Sequence, residues 1–149
     1  MSRARRPSAT FGARSLRGAV CEASYVIVYV PDVDAAVEFY ERAFGLKRRF
    51  VHKSGTYAEM ETGATALAFA AEALVSSTSP GFRANRMSDA PACAEVGLVS
   101  ENVPEAFAKA VAEGAISHVE PQVKPWGQTV AYVRDLNGFL VELCSPMGR

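Results

Sequence analysis

The chain has 149 residues, and its 16 lysine and arginine side chains balance 16 aspartate and glutamate side chains, so its formal charge is zero. With 49% hydrophobic and 21% charged residues, it has a globular composition and the length of one domain with its own core. These values exclude a wholly disordered chain, and the neutral total argues against a protein dedicated to binding DNA or RNA.

The first 22 residues differ in composition from the rest of the chain. Residues 1–20 contain five arginines and no acidic residue, which leaves 11 basic and 16 acidic residues, a net charge of −5, in the remainder. We expect residues 1–22 to form an Arg-rich, disordered tail. A transit peptide for an organelle has the same composition and stays open as an alternative.

The apolar segments and the cysteines indicate in which cellular compartment the protein is expected. No apolar run approaches the ~20 residues that a transmembrane helix needs, so no membrane association is expected. Cys21, Cys93 and Cys144 are odd in number and form no C-x-x-C pair, which argues against a disulfide framework and against a cysteine zinc site. We therefore expect a cytoplasmic protein, or an organellar one if the tail is a transit peptide.

The rest of the chain repeats one order of elements twice. Residues 25–33 (YVIVYVPDV) predict a strand that ends in a turn, and the segment after Asp32 has apolar side chains at helical spacing until Gly45. Three strand candidates follow, at about 47–52, 56–61 and 65–70. The first half, about 24–72, is therefore predicted to be a βαβββ module.

The second half follows the same order. Residues 95–103 predict a strand and turn, Asn102 and Glu105 have the spacing of a helix N-cap, and Gly114 suits the helix end. Strand candidates then lie at about 117–119, 128–134 and 139–144. This second module, about 93–146, is separated from the first by a linker, residues 73–92, rich in Ser, Pro, Gly and Asn.

The two modules predict the fold class. In each, the last two strands are joined by a short turn that contains a glycine, Gly63 or Gly138. A single βαβββ module leaves one sheet face uncovered, so the two must pair to bury a core. We expect an α+β protein with one domain over residues 23–149, in which two βαβββ modules form a curled mixed sheet around a cleft.

This organisation resembles the vicinal oxygen chelate superfamily, which includes glyoxalase I, bleomycin resistance proteins, fosfomycin-modifying enzymes and extradiol dioxygenases. The likeness is carried by the paired modules, by VPDVDAAVEFYERAFGL (residues 30–46) and by WGQTVAYVRDLNGFLVEL (residues 126–143), and it covers about 24–146. It implies a small-molecule site in a cleft between modules, and a homodimer. It does not imply one reaction, because many functions share this scaffold.

The resemblance also implies where a metal would bind. Metal-dependent members take one ligand from the first strand and one from the last strand of each module, usually His or Gln, Glu, His and Glu. These positions fall on Tyr25, on Ala66 or Ala68, on Glu95 and on Glu142. Only Glu142 matches the pattern residue for residue.

We therefore expect no firmly bound catalytic metal. His52 and His118 are predicted to lie at a turn and before a loop, so no imidazole reaches a ligand position. An oxygen-only site formed by Tyr25, Glu95 and Glu142, which would hold a divalent cation such as Mg or Mn weakly, stays open.

Side chains alternate between the two faces of a strand, and this alternation predicts which residues line the cleft. Glu142 and Glu95 are the candidate catalytic residues, since a desolvated carboxylate pair could hold a divalent ion or act as a general base. The candidate substrate-binding residues are predicted to point inward or to lie at the cleft rim: Tyr25, Ile27, Tyr29, Tyr57, Glu59, Gly97, Trp126, Tyr132 and Arg134.

Three functions stay open at this point. The first is a glyoxalase-like or bleomycin-resistance-like protein that binds a small hydrophobic or aromatic molecule without a metal cofactor. The second is a divalent-metal-dependent lyase, isomerase or dioxygenase that uses Glu142 and Glu95. The third is a structural or regulatory module without catalysis.

Overall fold

A computed structural model describes residues 20–79 and 81–148. The strands are Tyr25–Val30 (β1), Lys47–Val51 (β2), Tyr57–Glu61 (β3), Ala66–Ala71 (β4), Glu95–Val99 (β5), Ile116–Val123 (β6), Thr129–Arg134 (β7) and Leu140–Cys144 (β8). The helices are Val33–Phe44 (α1), Glu72–Thr78 (α2) and Val103–Ala112 (α3). Most of the Arg-rich tail lies outside the described residues, so the expectation for it stays a prediction.

The strands form two four-stranded mixed sheets with the orders β1-β4-β3-β2 and β5-β8-β7-β6. In each sheet the first strand pairs in parallel with the last, and the other pairs are antiparallel. Each sheet with its helix is one βαβββ module, called module 1 and module 2 below. The predicted α+β class with two such modules is confirmed; the two sheets do not close into one continuous sheet.

The two long helices begin and end as the sequence predicts. The side chain of Asp32 accepts a hydrogen bond from the backbone N–H of Ala35 at 3.0 Å, and Gly45 ends α1 with a φ of +68°. At α3, Asn102 accepts from the backbone N–H of Glu105, and its side-chain amide donates to the Glu105 carboxylate at 3.0 Å. These contacts satisfy N–H groups that a helix cannot pair internally.

One hydrophobic core joins the modules. Helix α1 covers one face of the first sheet, α3 covers one face of the second, and the two helices contact each other. Strand residues that point towards the helices, such as Val30, Phe69, Val133 and Val141, are at most 1% exposed. Helices α1 and α3 therefore occupy one face of each sheet, and neither of them covers the opposite face; the short helix α2 contacts β4 and β1 of the first sheet.

A buried polar contact also crosses between the modules. The hydroxyl of Tyr40 on α1 donates to Oδ2 of Asp135, which follows β7, at 2.8 Å. Oδ1 of Asp135 accepts from the backbone N–H groups of Asn137 and Phe139. Both Tyr40 and Asp135 are 0% exposed, so each polar group needs the other as a partner.

The structure differs from the sequence prediction in two segments. The start of the predicted linker forms α2, which begins with the helix-favouring residues Glu72, Ala73 and Leu74. Strand β6 runs to Val123, so the start of the loop that was predicted to follow His118 is instead part of this strand, which contains Pro121. A proline is tolerated there because β6 is an edge strand and its register shifts between Val119 and Gln122. No helix within the described ranges is long and apolar enough to cross a membrane.

Candidate functional site

The helix-free face of the first sheet carries five of the predicted site residues. On β1, Val28 and Val30 are buried towards the helices, so Tyr25, Ile27 and Tyr29 point to the opposite face. The register places Tyr57 and Glu59 of β3 on that same face, across β4. We call these five residues the module 1 wall; Tyr25 is 56% exposed and Ile27 is 37% exposed.

The acidic group of the module 1 wall is paired with a cation. The Tyr57 hydroxyl donates to Oε1 of Glu59 at 2.9 Å, and Arg49 donates to Oε2 of Glu59 at 3.3 Å. Arg49 also binds the Glu61 carboxylate at 2.8 Å and 3.0 Å. Burial, and then the hydrogen bond to Glu59, raise the pKa of Tyr57 to about 12. In this wall, Glu59 therefore has both a phenol and a guanidinium as partners.

The floor between β1 and β3 consists of alanines. Ala66, Ala68 and Ala70 of β4 pair with Tyr25, Ile27 and Tyr29, and they are at most 5% exposed. The larger side chains on either side cover them, so the wall has an aromatic surface above a small-residue floor.

The corresponding face of the second sheet carries the two candidate catalytic residues. Glu95 and Gly97 of β5, Tyr132 of β7 and Glu142 of β8 share this face by register, and we call these four residues the module 2 wall. The Tyr132 hydroxyl donates to Oε2 of Glu142 at 2.8 Å. A Cβ added to Gly97 would lie 3.8 Å from Oε1 of Glu142, so this carboxylate extends over the glycine.

The carboxylates of the module 2 wall influence their neighbours. Partial desolvation, and then the negative charge of Glu142, raise the pKa of Glu95. The hydrogen bond to Glu142, followed by burial, raises the pKa of Tyr132 to about 12. Burial, followed by a hydrogen bond to Glu142, raises the pKa of Cys144 to about 11. Across residues 20–79 and 81–148, no ion pair reaches Glu95 or Glu142, so no cation is paired with the carboxylates of this wall.

Arg134 lies on the same face but is bound to backbone. Its guanidinium donates to the carbonyl of Gly138 at 2.9 Å, to that of Asp89 at 2.7 Å, and to those of Met87 and Arg86 at 3.2 and 3.3 Å. Its donors thus hold the linker rather than the wall carboxylates.

Trp126 lies away from both walls, at the tip of the β6–β7 hairpin. It is 65% exposed, and its indole N–H donates to the side chain of Gln128 at 3.0 Å. Together with Pro146 and Met147 it borders a shallow hollow of about 740 Å³ that no residue of either wall lines. Within one chain, Trp126 is therefore separate from the other predicted site residues.

The two walls are not joined within one chain. They lie on separate sheets, and no hydrogen bond or ion pair between described residues connects them. A groove of about 770 Å³ separates the edge strands β1 and β5. It reaches Glu95 and Gly97 but neither Tyr25 nor Glu142, and much of its lining is apolar and on the helix side, including Val26, Leu67 and Leu98.

Sequence reasoning missed Arg49 as a wall residue. Its neighbours Arg48 and Phe50 pair with Met60 and Glu59, so the register shifts at Arg49. Simple alternation fails at such a bulge because one extra residue enters the strand. The arginine-rich start of β2, next to acidic residues on β3, is the signal that could have indicated the pairing.

Comparison with known proteins identifies the family. The family model described as Glyoxalase/Bleomycin resistance protein/Dioxygenase superfamily matches residues 23–143. The chain belongs to this superfamily. The resemblance seen in the sequence is thereby confirmed, while the reaction and ligand are not given by membership. No significant match is found among curated protein sequences.

Solved structures that are similar to this chain support the same fold. A glyoxalase-related enzyme from Fulvimarina pelagi is 17% identical with a TM-score of 0.72, covering 85% of this chain and 89% of that one. A superfamily enzyme from Burkholderia phytofirmans PsJN is 18% identical with a TM-score of 0.71, covering 84% and 98%. TioX from Micromonospora sp. ML1 is 25% identical with a TM-score of 0.63, covering 84% and 98%.

The side chains of one chain do not fit the metal that some members of this superfamily hold. Within the described part of the chain, no three His, Cys, Asp or Glu side chains are grouped closely enough to hold a metal ion. Glu95 and Glu142 supply two carboxylates, and no third His, Cys, Asp or Glu side chain of the described residues completes a set of ligands with them. His52 instead accepts a hydrogen bond from the backbone of Ser54 at 3.2 Å.

Proposed function

We propose that this superfamily member binds a small apolar or aromatic molecule, without a resident metal, between the module 1 wall of one copy and the module 2 wall of a second copy. The observation that carries the proposal is the pair of helix-free walls. One is aromatic and partly exposed, the other is acidic with no ion pair among the described residues, and the two lie on separate sheets of one chain.

The aromatic wall favours ligands with flat apolar surfaces. The rings of Phe50 and Tyr57 have centroids 6.0 Å apart, and Tyr25 lies on the same face of the sheet as Tyr57. Such rings bury a large apolar area, while the tyrosine hydroxyls offer polar contacts. A ligand that covers Tyr25 and Ile27 removes apolar surface from water, which drives binding.

Two open edge strands support a second copy as the partner. β1 and β5 each lie at the edge of their sheet, and Val26 on β1 and Val99 on β5 are 58% and 67% exposed. Exposed apolar edges are prone to pair with another chain unless they are covered. A homodimer that covers both edges and the groove between them also brings one wall of each copy together.

A matched pair of valine substitutions tests the dimer. Val26→Glu places a charge at the β1 edge, whereas Val123→Glu places the same charge at the end of β6, where Val123 is 74% exposed. We expect sedimentation equilibrium to give a dimer for the wild type and for Val123→Glu, and a monomer for Val26→Glu. A monomeric wild type contradicts the dimer.

A thermal-shift panel tests binding. Aromatic alcohols, acids and amines are screened, since a ligand at 100 times its dissociation constant raises the free energy of unfolding by about 2.7 kcal/mol. A compound that stabilises the wild type should lose most of its effect in Tyr25→Ala and Tyr57→Ala and keep it in Val111→Ala, which changes the exposed face of α3. Mn, Ni, Zn and Mg are included; stabilisation by one of them at micromolar concentration contradicts a metal-free site.

The carboxylates of the module 2 wall support a second candidate function, an enzyme that uses Glu95 as a general base. The raised pKa of Glu95 moves this group towards the range in which a carboxylate accepts a proton from an acidic carbon. In that step Glu95 takes the proton and the electron pair stays on the substrate carbon. Exchange of the α-proton of a hydroxyketone with deuterated water, lost in Glu95→Gln, supports this candidate; no exchange contradicts it.

A further inference from the structure

The linker segment 81–89 is attached to module 1 through an aromatic contact. The rings of Phe82 and Tyr29 lie edge to face, with centroids 5.1 Å apart and an interplanar angle of 70°. Along β1, Tyr29 is the last residue that belongs to the module 1 wall. Its neighbours Val28 and Val30 point into the core. Phe82 therefore covers one end of the aromatic wall.

Next to Phe82, an ion pair fixes the path of the linker. Arg86 donates two hydrogen bonds to the Glu72 carboxylate, at 2.6 and 2.8 Å, and a third to its own neighbour, the carbonyl of Asn85. Glu72 is the first residue of α2, and its side chain is 15% exposed. Two parallel hydrogen bonds define orientation as well as distance, so Arg86 is held at a defined position against α2.

The segment reaches module 2 at Arg134. This side chain lies on the same face as Tyr132, and it binds the carbonyls of Arg86, Met87 and Asp89. The turn after β7 also makes room for the linker. Gly138 has a φ of +84°, and a Cβ there would come within 2.8 Å of the Arg86 carbonyl, so only glycine permits this approach.

We propose that residues 81–89 form the end wall of the ligand cleft, and that Phe82 limits the length of the aromatic ligand that the cleft admits. Arg134 acts as a positioning residue, since it holds the linker course without contacting the ligand. This inference rests on the proposed function. It specifies the ligand class as a flat aromatic whose long axis runs along β1 and ends against Phe82.

Two aromatic alcohols that differ by one fused ring test the inference: naphthol and its tricyclic homologue anthrol, whose dissociation constants are measured by fluorescence titration. We expect Phe82→Ala to shift the affinity ratio about 10-fold towards anthrol, which is the discrimination typical of a hydrophobic pocket that gains or loses a small apolar group. Phe82→Trp should shift the ratio the other way. Leu74→Ala, an exposed apolar truncation on α2, should leave it unchanged.

Arg134→Lys should shift the ratio in the same direction as Phe82→Ala but by less, because lysine cannot reach all the carbonyls that the guanidinium binds. A merely structural role would weaken both probes equally and leave the ratio constant. If the wild type binds a probe and no Phe82 variant changes the ratio, the inference is overturned while the proposed function stands. If the wild type binds neither alcohol nor any compound of the panel, both are overturned.

Discussion

The two modules share one fold but treat their wall carboxylates differently. In module 1, Glu59 binds the hydroxyl of Tyr57 and the guanidinium of Arg49. In module 2, Glu142 also binds a tyrosine hydroxyl, that of Tyr132, but its other neighbour is a second acid, Glu95. A carboxylate that is paired with a cation is already stabilised by that contact. Two adjacent carboxylates repel each other, so a hydrogen-bond donor or a cation that binds them lowers their electrostatic free energy. Under the proposed function, the polar groups that respond to a ligand are therefore those of module 2.

The turns that precede the last strand of each module also have different hydrogen-bond partners. In module 1, Thr62 accepts from the backbone N–H of Leu67 and donates to the carbonyl of Thr65, so its contacts stay within the turn. In module 2, Asp135 makes comparable turn contacts and in addition accepts the Tyr40 hydroxyl from module 1. Asp135 thus connects module 2 to module 1, whereas the contacts of Thr62 stay within module 1.

Removing that tie should produce the largest effect on stability. Tyr40→Phe deletes the only hydroxyl bound to Oδ2 of Asp135 among the described residues and leaves this oxygen buried without a donor. We expect a loss of about 1.5–3 kcal/mol in the free energy of unfolding, measured by urea denaturation. Tyr29→Phe is the matched control, since the Tyr29 hydroxyl has no hydrogen-bond partner in residues 20–79 and 81–148; equal losses in the two variants contradict this account.

The same aspartate predicts how stability changes with pH. Burial raises the pKa of Asp135 above its ordinary value of 3.8, against the lowering effect of its hydrogen bonds. The folded protein therefore holds this proton to higher pH than the unfolded chain, and its contribution to stability falls as pH rises from 3.8 through the folded-state pKa.

The comparison to make is between the wild type and Asp135→Asn, which keeps an oxygen acceptor but does not titrate. Urea denaturation at several pH values should give a difference in stability between the two proteins that shifts in favour of the variant as pH increases through this window. A difference that stays constant with pH would show that Asp135 does not titrate as its burial indicates.

Substitution of the wall carboxylates is expected to change the melting temperature by smaller amounts, and differently in the two modules. Glu59→Gln removes the charge that Arg49 binds, so the melting temperature should fall. Glu142→Gln removes one of two adjacent negative charges, so the melting temperature should stay constant or rise. Each shift should be within about 2 °C, because partly exposed charges contribute little. Shifts of the same sign in both variants contradict the difference between the modules.

The fold was predictable because its signals are local and repeated. Asp32 and Asn102 cap the two long helices at their N-termini, and a glycine lies at the end of α1 (Gly45) and just after the end of α3 (Gly114). The candidate site was predictable only within each sheet, since strand alternation orders side chains on one face. Which walls meet depends on how two sheets and two copies are arranged, and no local pattern encodes that arrangement.

Two site features could not be predicted from strand alternation alone. Arg49 lies at a register shift, where alternation does not define which face a side chain occupies. Arg134 lies on the predicted face, but its donors are taken by linker carbonyls 45 to 48 residues away in the chain. A linker without periodic pattern gives no signal of where it will run.

The smallest expected effect is a change in the pKa values of two wall tyrosines. It is also the most direct measure of the difference between the two walls. The pKa of Tyr57 and that of Tyr132 are both raised to about 12, but burial is the larger cause for Tyr57 and the hydrogen bond to Glu142 is the larger cause for Tyr132. Glu142→Gln should therefore lower the pKa of Tyr132 by more than Glu59→Gln lowers that of Tyr57. Phenolate absorbance against pH measures both.

Single-tyrosine differences keep that titration interpretable. Subtracting the curve of Tyr132→Phe from that of the wild type isolates Tyr132, and the same subtraction in a Glu142→Gln background gives its pKa without the carboxylate. The Tyr57→Phe and Glu59→Gln pair gives the matching value for module 1. If the pKa values of the two tyrosines fall by the same amount, Glu142 and Glu59 interact equally with their tyrosines. The proposal that the polar groups of module 2 respond to a ligand is then wrong.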